Sequence, residues 1–325
     1  MHRLLIVIAS CVVAAAPLAA NSQSSSSGRD YPRKSIRFIV PVTTGGPSDL
    51  VARLLGEKLS VSLGKQVIVD NRPGASNTVG AAMVAKADPD GYTLLQAAAN
   101  MATIALLMKD LPFDSVKDFA PISLTHLTPY VIVVSSQSPV KSLQELLKFI
   151  RDNPGKITYG TTGEGSPQQL ATLLFAQTAG GLGTITEVAY KGSSAAHPDL
   201  IANRISFMID PLAAAGPHVK AGFLRALAVT TPQRYPSFPD VPTATEAGVA
   251  GYDFSSWGGV FAPAHTPRAI VQKLNAEIVA ALASPDLAKR FADMGLAAKS
   301  STPDEFGRFL QSEIVRWRAV LTKKP

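Results

Sequence analysis

Short runs of β-branched and aromatic residues alternate with helical patterns along most of the chain. This alternation is typical of an α/β protein, so it predicts mostly parallel sheets flanked by helices. The predicted strands are residues 36–40, 66–70, 92–96, 130–135, 157–160, 205–209 and 224–230. The predicted helices between them are residues 49–61, 78–87, 142–153, 168–179 and 197–202.

Two further helices, residues 267–283 and 302–322, are predicted to close the chain with no strand between them. An apolar stripe at helical spacing indicates that the first of these packs one face on the core. The stripe consists of Ile270, Val271, Leu274, Ile278 and Leu282.

Two distant stretches share one layout: a strand, a loop of glycines and hydroxyls, and an apolar helix. They are "IRFIVPVTTGGPSDLVARLL" (residues 36–55) and "ITYGTTGEGSPQQLATLLF" (residues 157–175). Ser166 is predicted to cap the second helix, with Pro167 at its first position and Gln169 completing a capping box. Asp49 is predicted at the third position of the first helix.

Neither of these two loops contains a basic residue. The free amides of a helix start and the helix dipole favour an anion, and the threonine and serine hydroxyls add neutral donors. The alternative is purely structural, because strand–glycine–helix turns are common in α/β proteins and most of them bind nothing.

The amino terminus is typical of an export signal. Arg3, the apolar run 4–16 and the small residues "APLAA" predict a signal peptide over residues 1–20, and residues 21–30 form a flexible tether. A second interpretation is that "IASC" (residues 8–11) is a lipobox, with Cys11 as the lipidated residue.

Composition and charge exclude several classes of function. The chain has 325 residues, 46% hydrophobic and 17% charged, which suits one large globular domain or two lobes. Without Arg3 it keeps 30 basic against 24 acidic residues, but they are scattered, so nucleic acid is not an expected partner. Cys11 is the single cysteine, so the mature chain has no disulfide and no Cys-ligated metal.

Motifs for catalysis, cofactors and metals are missing. The sequence has no phosphate-binding G-x-x-x-x-G-K-[ST] loop, no complete dinucleotide loop and no G-x-S-x-G elbow. His126, His197, His218 and His265 are isolated and lack metal-ligand spacing, so we expect them on the surface or in loops. We therefore predict no catalytic residue, no metal and no cofactor.

Several segments together resemble one family, the solute-binding proteins of tripartite tricarboxylate transporters, also called the Bug family. The resemblance covers nearly the whole chain after residue 30, in order. It rests on "YPRKSIRFIVPVTTGGPSDLVARLLGEKL", "VIVDNRPGASNTVGAAMVAKADPDGYTLL", "LPFDSVKDFAPIS", "YGTTGEGSPQQL", "AYKGSSAAHPDL", "LAVTTPQRYPSFPDVPTATEAG" and "FAPAHTPRAIVQKLN".

The resemblance implies a monomeric periplasmic binding protein of the type II-like, Venus-flytrap class, and not an enzyme. One lobe would comprise residues 31–126 and 253–325, and the other residues 127–252, with a hinged cleft between them. The cleft would hold a small carboxylate through backbone amides, hydroxyls and ordered waters, without an arginine clamp. The expected partners are the two integral membrane subunits of the transporter.

The resemblance also implies which residues approach the ligand. They are Thr43, Thr44, Gly45, Gly46 and Asp49 in the first loop, Thr161, Thr162, Gly163, Gly165, Ser166 and Gln169 in the second, Ala98 and Asn100 after the "GYTLL" strand, and Asp210 after "ISFMID".

Departures from the family pattern leave the identity of the ligand open among carboxylates, acidic amino acids, aromatic acids and amides. Thr43 and Thr44 stand where small apolar residues or proline are common, and Gln169 stands where histidine is common. Glu164 would meet a ligand ammonium or lie in solvent. Trp257 would line the cleft or pack in the core or hinge, and Arg72 belongs to a turn or contacts the anion.

Two other functions use features of the same sequence. A sensor that presents its ligand to a membrane kinase would have the same fold as a transport receptor. An exported enzyme acting on a carboxylate would need a nucleophile–base pair in the cleft, and no histidine lies near either loop in the sequence.

Overall fold

A computed structural model describes residues 30–45, 47–74 and 77–322 of the protein. The predicted signal peptide, the lipobox reading of Cys11, nearly all of the predicted tether and the predicted ligand residue Gly46 lie outside these residues. None of the helices in the described part of the chain is long and apolar enough to span a bilayer.

The described elements alternate as predicted over most of the chain. The strands are β1 (Ile36–Val40), β2 (Val67–Asn71), β3 (Thr93–Ala98), β4 (Phe119–Ser135), β5 (Ile157–Thr161), β6 (Ile185–Ala189), β7 (Phe207–Pro211), β8 (Leu224–Val229), β9 (Ser255–Pro263) and β10 (Ala297–Ala298). The helices are α1 (Pro47–Leu63), α2 (Thr78–Ala85), α3 (Asn100–Leu107), α4 (Leu143–Asp152), α5 (Pro167–Thr178), α6 (Ser193–Ile201), α7 (Leu212–Lys220), α8 (Arg268–Leu282), α9 (Pro285–Asp293) and α10 (Pro303–Thr322).

The strands form a mixed arrangement in the order β2-β1-β3-β9-β4-β7-β5-β6, with β8 and β10 also paired to β4. The predicted parallel pairing holds for β1 with β2 and β3, and for β5 with β6 and β7. Strands β4, β8 and β9 pair antiparallel with their neighbours. The α/β class is therefore confirmed, but the sheet is mixed where mostly parallel pairing was predicted, because antiparallel strands occupy its centre.

Strand β4 is the element that joins the two halves of the sheet. Residues 119–129 pair with β9, whereas residues 130–135 pair with β7 and β8. The register with β9 shifts twice, between Pro121 and Ser123 and between Leu124 and His126. Such irregularities bend a strand and increase its twist, and both lie in the part of β4 that pairs with β9.

Several elements were missing from the sequence prediction, and one statement about the end of the chain was wrong. Between the two closing helices lie α9, which buries Leu287 and Phe291, and the two-residue strand β10. Strand β9 was also missed, because it is buried on both faces and carries Gly258 and Gly259 in place of alternating side chains. The edge strand β6 and helices α3 and α7 were not predicted either.

Trp257 belongs to the core beside the point where the two halves meet. It is 1% exposed and packs against Phe306 and Phe309 of α10. Its indole Nε1 donates to Glu313 Oε2 at 3.3 Å, and Trp317 Nε1 donates to the same oxygen at 3.0 Å. Trp257 therefore packs in the core in this structure, and the buried carboxylate of Glu313 links α10 to β9 by accepting from Trp257.

Candidate functional site

The first loop follows the carboxyl end of β1 and leads into α1. In parallel α/β sheets, ligands bind beyond the carboxyl ends of the strands. Thr43 and Thr44 are exposed there, and Gly45 takes a φ of 90°, a conformation that favours glycine. The sequence builds this turn from residues that leave hydroxyls on its outside.

Asp49 holds the first loop from within and is only 1% exposed. Its carboxylate accepts hydrogen bonds from Gly45 N at 2.9 Å, from Asn71 Nδ2 at 2.9 Å and from Arg53 Nε at 3.0 Å. Burial raises the pKa of Asp49, but the bonds from Arg53, Gly45 and Asn71 outweigh it and leave the pKa below its ordinary value. Asp49 is therefore a charged brace of the loop.

The second loop, between β5 and α5, repeats this construction with a neutral side chain. Ser166 caps α5 as predicted, since its Oγ accepts from Gln169 N at 3.3 Å and Pro167 follows it. Gln169 Oε1 accepts from Gly165 N at 2.8 Å, as Asp49 accepts from Gly45. In the predicted capping box this bond would come from the Ser166 amide, which instead donates to Gly163 O at 3.1 Å.

Glu187 of β6 lies behind the second loop and was not predicted from the sequence. Its carboxylate accepts from Thr161 Oγ1 and, at 2.6 Å, from Gln169 Nε2. The Thr161 oxygen in turn accepts from Gly163 N at 3.0 Å. Burial, and secondarily the charge of Glu187, raises the pKa of Tyr159 to about 12. The signal that would have revealed Glu187 is the pairing of β6 with β5, because it places β6 beside the strand that leads into the second loop.

Asp210 lies deeper than predicted, at the end of β7 and fully buried. It accepts from Ser193 Oγ at 2.6 Å and lies 2.9 Å from His197 Nε2. His197 is buried and its ring centroid lies 4.6 Å from that of His218. The expectation of isolated surface histidines was therefore wrong for this pair, since α6 and α7 bring them together.

His126 also departs from the expectation of a surface histidine, and only His265 meets it fully. His126 lies in β4 and is 4% exposed, whereas His265 is exposed in a loop. Burial lowers the pKa of His126 to about 4, so the ring is neutral at neutral pH. Among the described residues, no group of three His, Cys, Asp or Glu side chains is placed to hold a metal ion.

The remaining predicted residues lie where β3 ends, next to the first loop. Ala98 closes β3 and Asn100 opens α3, and both are half-buried. Since β3 pairs with β1, this end of β3 adjoins the first loop. Helix α3 then reaches the second loop: a Cβ on Gly165 would lie 2.5 Å from Leu107 Cδ1. The two loops are thus connected through α3. Arg72 lies beside the start of the first loop, since its amide donates to Val40 O at 2.8 Å, and its side chain forms an ion pair with Asp70.

Comparisons with known proteins agree with this architecture. The model of the tripartite tricarboxylate transporter family receptors matches residues 51–325. A protein described as "UPF0065 protein in tcbD-tcbE intergenic region" from Pseudomonas sp. (strain P51) is 36% identical over 315 residues, 96% of this chain and 93% of that protein. "Protein BugT" of Bordetella pertussis is 35% identical and covers 99% of this chain and 97% of its own.

Solved structures show the same similarity. "R. palustris Rpa4515 with adipate" has a TM-score of 0.77 and 36% identity, covering 90% of this chain and 98% of its own. "MatC (Rpa3494) from Rhodopseudomonas palustris with bound malate" has a TM-score of 0.74 and 32% identity, covering 89% and 99%. The family that the sequence resembles is confirmed, and the chain belongs to the tripartite tricarboxylate transporter family of receptors.

Proposed function

We propose that this protein is a periplasmic receptor that captures a small carboxylate between two lobes and delivers it to the membrane subunits of a tripartite transporter. The observation that carries this proposal is the pair of similarly built loops after β1 and β5. Each loop follows the carboxyl end of a parallel strand and has a glycine whose amide is fixed by the residue four positions later. The adipate and malate in two similar proteins support a carboxylate as the ligand.

The lobes in this proposal are residues 31–126 with 253–325, and residues 127–252. The boundaries fall in β4 and just before β9, and β4 exchanges its neighbours between residues 129 and 130. A strand that changes partners beside two register shifts suits a hinge, because such irregularities are places where a strand bends. Closure would bring the exposed hydroxyls of the two loops onto one ligand.

An enzymatic role is not supported by the serine, histidine and aspartate near the second loop. A nucleophilic serine needs a base that accepts its proton. Ser193 instead donates to Asp210, and His197 contacts the other oxygen of the same carboxylate. Both side chains are thus partners of one aspartate and not of each other, so we propose a receptor that releases its ligand unchanged.

A thermal-shift screen of mono-, di- and tricarboxylates, aromatic acids and acidic amino acids tests the proposal on the mature protein. A ligand at a hundred times its Kd adds about 2.7 kcal/mol to the free energy of unfolding, which raises the Tm measurably. Proton NMR of the recovered ligand then tests whether it is unchanged. The proposal is overturned if no carboxylate in the panel raises the Tm, or if a bound one is converted to product.

Matched variants test the position of the anion. Thr44→Ala should weaken binding about tenfold or more, because it removes a hydroxyl donor to a charged group. Arg72→Ala is the control, since Arg72 is half-exposed and paired with Asp70 outside both loops. Loss of binding in the arginine variant alone would show that a guanidinium holds the anion.

A further inference from the structure

In the hydrogen bonds behind the second loop, which group donates and which accepts is fixed, starting from Asp210. This buried carboxylate accepts from Ser193 Oγ at 2.6 Å. A serine hydroxyl has one hydrogen, and Ser193 gives it to Asp210. The Ser193 oxygen can therefore only accept a hydrogen bond from its other neighbour, Gln168.

The same direction continues outward to Thr162. Gln168 is buried, and its Nε2 faces the Ser193 oxygen at 3.4 Å. The opposite end of the amide, Oε1, then accepts from Thr162 Oγ1 at 3.0 Å. The single hydroxyl hydrogen of Thr162 consequently points into the protein. Because Thr162 is exposed, its oxygen offers lone pairs, and no hydrogen, to a molecule in the cleft.

A second set of hydrogen bonds turns other donors of this loop inward. The amide of Gly163 donates to the Thr161 hydroxyl, which donates to Glu187. The amide of Gly165 donates to Gln169, whose Nε2 also donates to Glu187. These donors of the second loop are therefore used in hydrogen bonds that lead to the Glu187 carboxylate, within the same half of the molecule.

The two loops also differ in the ionic partners of their carboxylates. Asp49 in the first loop is paired with the guanidinium of Arg53. In the described part of the chain, Glu187 forms no ion pair with a cationic side chain, and Asp210 is paired only with His197. The carboxylates behind the second loop thus lack the guanidinium partner that Asp49 has, while the first loop presents the exposed hydroxyls of Thr43 and Thr44.

We propose that the ligand is a carboxylate that also carries a hydrogen-bond donor, and that Thr162 is the residue that selects this donor. The carboxylate lies at the first loop, and a hydroxyl, ammonium or amide N–H of the ligand donates to Thr162 Oγ1. This inference rests on the proposed function and names the substrate class of the same cleft. An oxo acid would place its carbonyl oxygen against the lone pairs of Thr162 and leave both groups unpaired.

Calorimetry with acids that differ only at C2 tests this inference on the mature protein. The probes are malate and succinate at four carbons, and 2-hydroxyglutarate, glutarate and 2-oxoglutarate at five. We expect the hydroxy acid of the length that fits to bind about tenfold more tightly than the unsubstituted or oxo acid. Equal or tighter binding of the unsubstituted or oxo acid overturns the inference while leaving a carboxylate receptor in place. Absence of binding by every acid in this panel and in the wider screen overturns the proposed function and the inference with it.

Variants of Thr162 assign the preference to this residue. Thr162→Val removes the oxygen and keeps the branched shape, so hydroxy and unsubstituted acids should bind alike. Thr162→Ser restores an oxygen that accepts from the ligand and donates to Gln168, so the preference should return. Thr162→Val leaves Oε1 of the buried Gln168 without its donor and should lower the Tm, so its affinities are compared at a temperature where it is fully folded. Thr162→Ser keeps this hydrogen bond and should unfold at the temperature of the wild type. A preference that survives in Thr162→Val would show that another residue receives the donor, and the assignment would be wrong.

Discussion

Replacing Asp49 by asparagine should destabilise the first loop far more than the small change in shape suggests. Both oxygens of Asp49 are in use: Oδ2 accepts from Gly45 N and Arg53 Nε, and Oδ1 accepts from Asn71 Nδ2. Arg53 also lies 3.0 Å from Oδ1. In Asp49→Asn, the new amide group must face one of these donor sets in either orientation, so donor would oppose donor.

The size of the effect follows from these contacts. A donor left unpaired in a buried site costs about 1–3 kcal/mol, and the surviving bonds lose the strength that a charged acceptor gives them. The Arg53 side chain is 46% exposed, so solvent screens its share. We expect the free energy of unfolding to fall by about 3 kcal/mol at pH 7.

Urea unfolding of Asp49→Asn measures this loss, and Asp293→Asn is the control. Asp293 pairs with Lys289 on the exposed face of α9, and breaking such a pair costs about 0.5 kcal/mol or less. The folded-state pKa of Asp49 is lowered, so its contribution is present above its unfolded pKa of about 3.9 and is lost as the pH falls through the folded value. The two proteins should thus converge in acid. A loss at pH 7 no larger than that of Asp293→Asn would refute the bracing role.

Three further outcomes are expected. Ser166→Ala and Ser142→Ala each remove a helix cap and should each cost about 1 kcal/mol in urea unfolding, but only the Ser166 variant should also weaken ligand binding in calorimetry, by about tenfold. Equal affinities of the two variants would contradict a ligand contact at Ser166. Because burial lowers the pKa of His126 to about 4, the unfolded state binds more protons below about pH 6.5, so the free energy of unfolding should fall between pH 6.5 and 4. His126→Gln should flatten this slope and exposed His265→Gln should not; the hypothesis fails if both profiles match the wild type. A saturating ligand should reduce the radius of gyration in solution scattering, and an unchanged radius would count against a closing hinge.

Local chemistry is what the sequence predicted best. Ser166 caps α5 because the serine, the proline and the glutamine needed for the turn are adjacent in the chain. The strands β1 and β5 and their helices follow from runs of apolar residues bounded by glycines. These features depend on neighbours within one turn or one strand, which a single sequence contains.

Long-range contacts were the part that the sequence did not reveal. Glu187 meets Thr161 across 26 positions, and Tyr130 N meets Thr230 across 100. Strand β9 has no alternating pattern, since the rings of His126 and Phe306 take the space beside its two glycines. Asp210 was placed at the right strand end but at the wrong depth, because only the packing of α6 over β7 shows that it is buried.

The place of β9 in the sheet also governs the order in which the chain can fold. Residues 255–263 lie between β3 and β4, which precede them in the sequence by more than a hundred positions. Until β9 is added, β3 and β4 each present an unpaired edge of the kind that aggregates with other chains. Such distant pairing is slow, because a long loop must close before its contacts form. A chain that stops before Ser255 therefore keeps both edges open, and they are covered only when the last quarter of the protein has joined the sheet.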